Sequence, residues 1–346
     1  MIWITIIWRE GNVTTIKDVA DAAGVSISTV SYALSGKRSI AEKTRQRIMD
    51  VITDLDYNPH FGAKVLAGDK THLIALSAPL HEDGHLPTHM RFVTEVIRAA
   101  RKHDYDVVML ATDDEVKGIK RVAASSIVDG VVSMGVTTGD ERLGLLRQLN
   151  LPGSFIGIPE EMKDYAYVDL DFAAAARACI ERLAELGHHT VGLVGHPYGY
   201  VNRHSGFIER FDSALQEEAN KRDLRIITQW AGLERGSGRK ALDALLSQVP
   251  DLSAVIFHCN EPVVEEVERR VRELDLRVPE QISLFAAAAS YDPASLEIPL
   301  SGISLPIEEM CTVAVETTMR VINGLPPAEP VLLQPEFIDR GSLHKR

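Results

Sequence analysis

The spacing of apolar residues changes once along the chain. In the first sixty residues, apolar positions recur every three or four residues in three short stretches, which is typical of amphipathic helices. Beyond residue 70, short apolar runs alternate with stretches of helical spacing. The runs are LIALSA, DVVML, VDGVVS, SFIGI, TVGLVG, SAVIF and ISLFA. The alternation predicts a small all-α domain followed by an α/β core of parallel sheets covered by helices on both faces.

Capping residues mark the first two predicted helices. Thr15 is suited to cap the first helix, with Asp18 three residues later in the position of a capping box. Gly24 is suited to end that helix, because the following turn commonly needs a positive φ. Ser26 is expected to cap a second helix, Ile27–Ser35. The inward face of the first helix is predicted to consist of Val19, Ala20 and Ala23.

The second predicted helix has an inner side that packs in the core and an outer side that is left exposed. Val30 and Leu34 occupy its inner side. A third helix is expected over residues 42–55, with Ile48, Ile52 and Leu55 closing the core. The outer side of the second helix, near its N-terminus, carries Ile27, Ser28, Ser31 and Tyr32. A helix that contacts bases in the major groove presents side chains in this way, although a bundle without DNA-binding activity also fits the pattern.

The net charge of −12 is unevenly distributed. Residues 1–70 carry nine basic and eight acidic side chains, whereas residues 71–346 carry 28 and 41. The acidity therefore belongs to the predicted core. Basic residues cluster around the start of the third helix, at Lys37, Arg38, Lys43, Arg45 and Arg47. Such a cluster gives a positive face that suits nucleic acid, although a solvated helix face also fits it.

Length and composition limit the remaining classes. The chain has 346 residues, enough for two or three hydrophobic cores, and its three cysteines lack the spacing of a disulfide framework or a thiolate metal site. No apolar run is long enough to cross a bilayer, and the first residues lack a signal-peptide pattern, so a cytoplasmic protein is expected. Residues 1–13 continue no pattern and are expected to form a disordered extension.

The N-terminal segment resembles the LacI/GalR family of bacterial regulators, whose members begin with T-I-x-D-V-A-x-x-A-G-V-S-x-x-T-V-S. The chain has TIKDVADAAGVSISTVS from Thr15 to Ser31. The similarity continues through KTRQRI, the Y-x-P of residues 57–59 and the LAG of residues 66–68. Further matches are VDG, ELGH, R-x-x-G-F, VPEQIS and PEFIDRGS. The resemblance covers residues 14–342.

The resemblance implies a domain organisation and a mode of action. It implies a helix-turn-helix domain over residues 14–59, a hinge helix and linker over 60–70, and a two-lobed core like the periplasmic sugar-binding proteins over 71–342. The N-lobe is expected at about 71–168 plus 304–330, and the C-lobe at about 169–303 plus 331–342. The expected partners are a palindromic DNA operator, a small-molecule effector and a second copy of the chain. Since the chain lacks the leucine-rich tail of tetrameric relatives, a dimer is expected.

The same resemblance implies the DNA contacts. Base contacts are expected from the outer face of the second helix, and phosphate contacts from hydroxyls around it. Tyr32 stands where a relative has an arginine, so no operator sequence carries over. Within the hinge, Leu66 is expected to wedge into the minor groove. The predicted DNA-binding residues are Thr15, Ser26, Ile27, Ser28, Thr29, Ser31, Tyr32, Ser35, Thr44, Ala63 and Leu66.

The expected effector pocket departs from the family pattern. Arg203 and Asn260 match the family's ligand-contacting arginine and asparagine, although Arg203 also fits a surface salt bridge. The family's G-F-D-D is replaced by alanine at residues 286–289, Glu261 replaces an aspartate, and two further polar positions are glycine and leucine. A sugar or polyol is the favoured effector, with a different metabolite or no ligand as alternatives. The predicted effector-binding residues are Arg203, Asn260, Leu80 and His81.

A ligand-binding protein or metal-dependent enzyme with incidental N-terminal helices is the alternative class, and two motifs bear on it. Residues 81–85 fit H-E-x-x-H, the zinc-peptidase pattern, but Gly84 and Pro87 disfavour the helix that this chemistry needs. The segment GSGRKA from Gly236 resembles half of a dinucleotide fingerprint. Neither pattern has the expected context. No catalytic residue, metal or cofactor is predicted.

Overall fold

The structure is a computed structural model that describes residues 14–35, 38–55, 57, 70–110, 114–159 and 165–346. The chain divides into two compact units, residues 1–72 and 73–346. Within the described ranges, no helix combines the length and the apolar character that crossing a membrane requires. The expected extension over residues 1–13 and most of the expected hinge, including Ala63 and Leu66, lie outside the described residues.

Three helices form the described part of the first unit, and the predicted caps are confirmed. The backbone N–H of Thr15 donates to the Asp18 carboxylate at 2.7 Å, and the Asp18 N–H donates to the Thr15 hydroxyl at 3.4 Å. Both bonds of the capping box are therefore present. Gly24 ends the first helix with φ of +62°. The helices are α1 (Ile16–Ala23), α2 (Ile27–Ser35) and α3 (Glu42–Asp54).

The core of this unit differs from the prediction at one end of α3. Ile48 is buried and Ile52 packs against the core, as predicted, but Leu55 is 36% exposed. The helix ends at Asp54, one residue earlier than expected, and Tyr57 is buried beside it. The Tyr57 N–H donates to the carbonyl of Ile52 at 2.9 Å, which holds Tyr57 against the core. The buried residues are Val19, Ala20, Ala23, Val30, Ala33, Ile48 and Tyr57.

The second unit contains two six-stranded sheets with helices on both faces, which confirms the predicted α/β class. The first sheet has the order β11-β5-β4-β3-β1-β2 and is parallel throughout. Its strands are β1 (Leu73–Ser77), β2 (Asp106–Leu110), β3 (Gly130–Ser133), β4 (Gly153–Ile156), β5 (Ala166–Leu170) and β11 (Val331–Leu333). We call the part of the chain around this sheet the first lobe.

The second sheet forms the second lobe. Its order is β12-β10-β9-β8-β6-β7, and only the short pair β10–β12 is antiparallel. Its strands are β6 (Thr190–Gly195), β7 (Arg225–Trp230), β8 (Ala254–His258), β9 (Ser283–Ala289), β10 (Ser301–Ser304) and β12 (Phe337–Ile338). The helices of the two lobes are α4 (Leu86–Arg101), α5 (Glu115–Ala124), α6 (Glu141–Leu149), α7 (Phe172–Glu185), α8 (Gly199–Asn202), α9 (Gly206–Lys221), α10 (Ser237–Gln248), α11 (Glu261–Glu273) and α12 (Ile307–Ile322).

The last part of the chain contributes to both lobes, which corrects one predicted boundary. Residues 331–342 were assigned entirely to the C-lobe, but β11 pairs with β5 of the first sheet. Val331 and Leu333 pack against the core of the first lobe, whereas Phe337 packs against a core of the second. The apolar residues of β11 thus cover an edge of the first sheet before the chain crosses to the second.

Replacing Thr15 by alanine tests the cap on which α1 depends. We expect protection of the α1 and α2 amides against hydrogen exchange to fall about fivefold in the full chain, because a lost N-cap costs ~1 kcal/mol. Thr53→Ala is the matched control, since Thr53 lies inside α3 and its hydroxyl only donates to the Met49 carbonyl. Equal protection in the two variants would contradict the role of Thr15.

Candidate nucleic-acid interface and ligand cavity

The outward face of α2 is exposed. Ile27 is 48% and Tyr32 36% exposed, which is unusual for side chains of this size. Ser28 and Ser31 are exposed on the same helix, whereas Val30 is fully buried on the opposite side. Ser35 is the last residue of α2. The predicted base-contacting side chains therefore form one continuous surface.

The N-terminus of α2 carries a cluster of hydroxyl groups. Ser26 accepts a hydrogen bond from the Thr29 N–H at 3.2 Å, and the two hydroxyls lie 2.8 Å apart. The Ser28 hydroxyl is 3.4 Å from that of Ser26. A helix N-terminus with hydroxyl donors suits a phosphate group, because the N–H groups and the helix dipole both favour negative charge.

The other two predicted phosphate contacts lie at the starts of α1 and α3. The Thr15 hydroxyl donates to Asp18 at 2.6 Å, so Thr15 acts first as a helix cap. Thr44 is in the first turn of α3 and is partly exposed. The predicted residues of the helix-turn-helix thus lie at helix starts or on the outer face of α2.

A basic side chain that was not among the predicted contacts lies beside α2. The guanidinium carbon of Arg38 is 5.6 Å from the centre of the Tyr32 ring, a distance suited to a cation–π contact. The described basic residues around α3, namely Arg38, Lys43, Arg45 and Arg47, are all exposed. The cluster of charge visible in the sequence is the only signal that could have identified Arg38.

A cavity of about 370 Å³ lies between the two lobes of the second unit. It is located at the carboxyl ends of the strands, where parallel α/β sheets bind ligands. All four predicted effector-binding residues line it, together with Gly157 and Leu305 at the two altered positions. Its apolar lining includes Phe92, Met134, Val136, Ile156, Phe172, Phe207 and Met310.

Five histidines also line the cavity: His81, His85, His89, His196 and His258. Burial lowers the pKa of His85 and of His89. Burial, with the nearby His85 and Arg203, lowers the pKa of His196 to about 3, and burial beside His196 lowers the pKa of His258 well below its usual value. The rings of His196 and His258 are 5.1 Å apart and perpendicular. These four imidazoles are therefore neutral at pH 7, and each offers one donor and one acceptor.

Arg203 lines the cavity and also forms an ion pair. Its Nη1 donates to both carboxylate oxygens of Asp83 at 2.9 Å, and its guanidinium lies 3.9 Å from the centre of the Tyr200 ring. The buried Nη2 has no hydrogen-bond partner. The salt bridge and the pocket position, which the sequence left as alternatives, are thus both present, because Asp83 belongs to the first lobe and Arg203 to the second.

A second ion pair in the cavity was not predicted. Arg210 Nη2 is 2.6 Å from the carboxylate of Asp169, and its buried Nε has no partner. Burial raises the pKa of the Asp169 carboxyl to about 7, although Arg210 acts in the opposite direction. The one signal in the sequence was a charged residue within the otherwise apolar strand AYVDL.

Asn260 is the most deeply buried of the predicted ligand contacts. It is the N-cap residue of α11 and only 2% exposed, and its Nδ2 has no hydrogen-bond partner. An unpaired buried amide is costly in a protein interior, so such a group commonly serves a ligand or an ordered water. The alanines that replace the acidic pair lie in β9, where Ala288 lines the same cavity.

The two enzyme-like motifs have other roles in the structure. The H-E-x-x-H segment is a turn, and α4 begins only at Leu86 with His85 as its N-cap, so its histidines do not share a helical face. Near Gly236, the N–H groups that a phosphate would need donate to Glu266 at 2.6 and 2.9 Å. Within the described part of the chain, no three His, Cys, Asp or Glu residues are grouped so as to hold a metal ion.

Comparison with known families gives two matches. The model described as bacterial regulatory proteins, lacI family, matches residues 15–60. The model described as a periplasmic binding protein-like domain matches residues 180–343. The first match covers the three-helix unit, and the second covers most of the second lobe and the returning segment.

Curated relatives align over nearly the whole chain. The HTH-type transcriptional regulator DegA of Bacillus subtilis (strain 168) is 27% identical over 339 residues, covering 95% of this chain and 98% of DegA. The HTH-type transcriptional repressor PurR of Photorhabdus laumondii is 27% identical over 345 residues, covering 95% of this chain and 96% of PurR. Both names are those of transcription regulators.

Solved structures share the fold. A lac repressor dimer bound to operator and the anti-inducer ONPF has a TM-score of 0.76 at 20% identity, covering 96% of this chain and 99% of that one. A complex of the transcriptional regulator CelR with cellobiose has a TM-score of 0.64 at 22% identity, covering 95% and 99%. The similarity extends over both units of the chain.

Replacing His196 by asparagine tests whether this ring is held neutral. The unfolded chain binds a proton at His196 below about pH 6.5, whereas the folded chain does so only near pH 3, so wild-type stability should be lost as the pH falls between these values. We expect the free energy of unfolding of the wild type to decrease, relative to the variant, by roughly 2 kcal/mol between pH 7.5 and 5. Urea titrations followed by circular dichroism measure this difference, and a difference independent of pH would contradict a neutral His196.

Proposed function

This chain belongs to the lacI family of bacterial regulatory proteins, and from this premise we propose that it represses transcription by binding a palindromic operator as a homodimer. Its site of action is the cytoplasm, where the chromosome lies, and a small molecule in the cavity controls it. The outer face of α2 carries the proposal, because Ile27, Ser28, Ser31 and Tyr32 are all exposed on this one face of the helix. We assign no catalytic activity.

The DNA contacts that we propose fall into two groups. Ile27, Ser28, Ser31 and Tyr32 contact base edges in the major groove, with Ser35 at the end of the same helix. Ser26, Thr29, Thr44 and Thr15 contact phosphates, which fix the register without specifying sequence. Arg38, Lys43, Arg45 and Arg47 add the positive charge that attracts the DNA backbone. Ala63 and Leu66 of the hinge complete the proposed contacts in the minor groove.

Two-fold symmetry sets the geometry of the proposed complex. A dimer presents two copies of α2, which enter successive major grooves about one helical turn apart. The operator is therefore a palindrome whose half-sites have that spacing. Each copy of the chain also contributes one cavity. The ligand and the operator therefore bind to the same dimer.

The cavity is the proposed effector site, with Arg203, Asn260, Leu80 and His81 among its contacts. Its support is the set of buried polar atoms without partners on Arg203, Arg210 and Asn260. The solved relative CelR is bound to cellobiose, and a sugar-derived effector is in line with this. A ligand that favours one arrangement of the lobes changes the affinity for DNA by linkage.

Substitutions on α2 and α3 should have different effects on DNA binding. Selection from random duplexes is expected to give a changed sequence preference for Ser28→Ala and Tyr32→Ala, since both side chains face the bases. Lys43→Ala is expected to weaken binding to all sequences alike and to lower the salt slope by about one, because it removes a single phosphate contact.

Lys221→Ala is the matched control, because Lys221 is exposed on α9 in the second unit. Its DNA binding should equal that of the wild type. An unchanged preference in both α2 variants would contradict the assignment of α2 as the helix that contacts bases.

A further inference from the structure

We propose that the effector is a sugar acid: a polyhydroxylated monocarboxylate whose carboxylate binds Arg203, Arg210 and Asn260. This inference rests on the proposed function, since it specifies the effector of the same cavity. It is carried by the kinds of polar atom that the cavity leaves without partners.

Three unpartnered atoms in the cavity can only donate hydrogen bonds. They are Nη2 of Arg203, Nε of Arg210 and Nδ2 of Asn260. Two imidazole nitrogens of the lining, His89 Nε2 and His196 Nδ1, also lack a partner, but an imidazole nitrogen can serve as donor or acceptor. Guanidinium and amide N–H groups need an acceptor, and a carboxylate offers about four lone-pair sites without any hydrogen of its own. A neutral sugar binds less well to such a set, because its hydroxyls also need acceptors. The Asn260 side chain is only 2% exposed, so bulk water does not reach its N–H donor.

The carboxylate of the cavity lining that could accept from a sugar hydroxyl already accepts other hydrogen bonds. Asp169 is the one carboxylate of the cavity lining in the described chain. Its two oxygens accept from Arg210 at 2.6 Å and from the Leu170 N–H at 3.0 Å. Ala288 of β9 lines the cavity and adds no polar side chain to it. The described lining therefore offers one carboxylate, both of whose oxygens already accept a hydrogen bond, beside two guanidinium groups with unpartnered donors.

The geometry of the second lobe adds to the preference for an anion. Ser205 and Asn260 line the cavity as N-cap residues of α9 and α11, which are helices of 16 and 13 residues. The positive ends of both helix dipoles therefore point towards the cavity. Each guanidinium already faces one carboxylate, Asp83 or Asp169, so a second negative charge on the ligand would meet more repulsion than attraction. This favours a carboxylate over a phosphate dianion.

The rest of the lining suits a hydroxylated body. Neutral imidazoles can donate and accept, as sugar hydroxyls require, and His85, His89, His196 and His258 provide four of them. The hydroxyls of Thr88, Ser205 and Ser290 line the same cavity. Aromatic rings at Phe172, Tyr200 and Phe207 provide apolar faces for the C–H side of a sugar ring. The cavity volume of about 370 Å³ lies at the lower end of the range for small-molecule sites.

Calorimetry with matched ligand pairs tests the proposal on the full chain. The probes are gluconate against glucitol, galacturonate against galactose, and phenyl phosphate and 3-phenylpropanoate as anions without a sugar body. We expect at least one sugar acid to bind about tenfold or more tightly than its neutral partner, since the difference is a set of charge-assisted hydrogen bonds. Tighter binding of a neutral sugar, of phenyl phosphate or of 3-phenylpropanoate, or no binding of either sugar acid, would overturn it.

An isosteric variant separates the two ligand classes within the same cavity. Asn260→Asp keeps a good N-cap but replaces the donor by a negative charge, so the sugar acid should lose about tenfold or more in affinity. A neutral sugar would instead gain an acceptor and keep or increase its affinity. Arg203→Met should also weaken the acid, whereas Arg222→Met, a matched change at an arginine paired with Glu181 and Glu218, should not.

The failure of this inference is distinguishable from that of the proposed function. Ligand binding is measured without DNA, so a sugar acid that binds as expected supports the inference even if operator binding fails. Sequence-specific DNA binding by a chain that prefers neutral sugars would instead leave the proposed function intact and overturn the sugar acid. Thermal melts of each variant confirm that it is folded before its affinity is compared.

Discussion

Parallel pairing of the strands is the constraint on which the cavity depends. Because parallel strands need crossover helices, all of them end at the same edge of their sheet, and the next helix begins there. Residues that start helices, such as His85, Ser205 and Asn260, are thereby brought to one place. These edges of the two sheets border the same cavity. The side chains that line the cavity therefore come from distant parts of the sequence.

The elements that the sequence predicted correctly are those with local causes. The cap of α1 depends on Thr15 and Asp18, three residues apart. Each of the seven apolar runs contains a strand, and all of these strands except the edge strand β2 are mostly buried. The strands that were not predicted are the less apolar ones, such as β7, which is only half-buried at the edge of its sheet, and β11, which contains only three residues. Their pairing is determined by the neighbouring strand and not by their own pattern.

The candidate site was predictable in part for a similar reason. Arg203 and Asn260 were predicted from the resemblance, and these two residues, Leu80 and His81 all line the cavity. The pairing of Arg210 with Asp169 was not found, because it joins residues 41 positions apart and no local pattern connects them. The exposure of Leu55 was also missed, because α3 ends at Asp54 and the buried side chain beyond it is that of Tyr57.

Contacts at the edge of the cavity join the two lobes directly. The Gly206 N–H donates to the carbonyl of Val136 at 3.1 Å, and the Thr138 N–H donates to that of His204 at 2.9 Å. The ion pair of Arg203 with Asp83 adds a third link. A ligand that engages Arg203 acts on one of these links, so its binding energy can favour one arrangement of the lobes over another. The proposed regulation requires this coupling.

The most direct test of the regulator is its specificity for DNA. Affinities of the full chain are measured at one fixed salt concentration for a selected palindrome and for a scrambled duplex of the same length and composition. We expect the palindrome to bind about 10³-fold or more tightly, with two copies of the chain per duplex. Equal affinity for the two duplexes would contradict a sequence-specific regulator and leave only the electrostatic attraction of a basic surface for DNA.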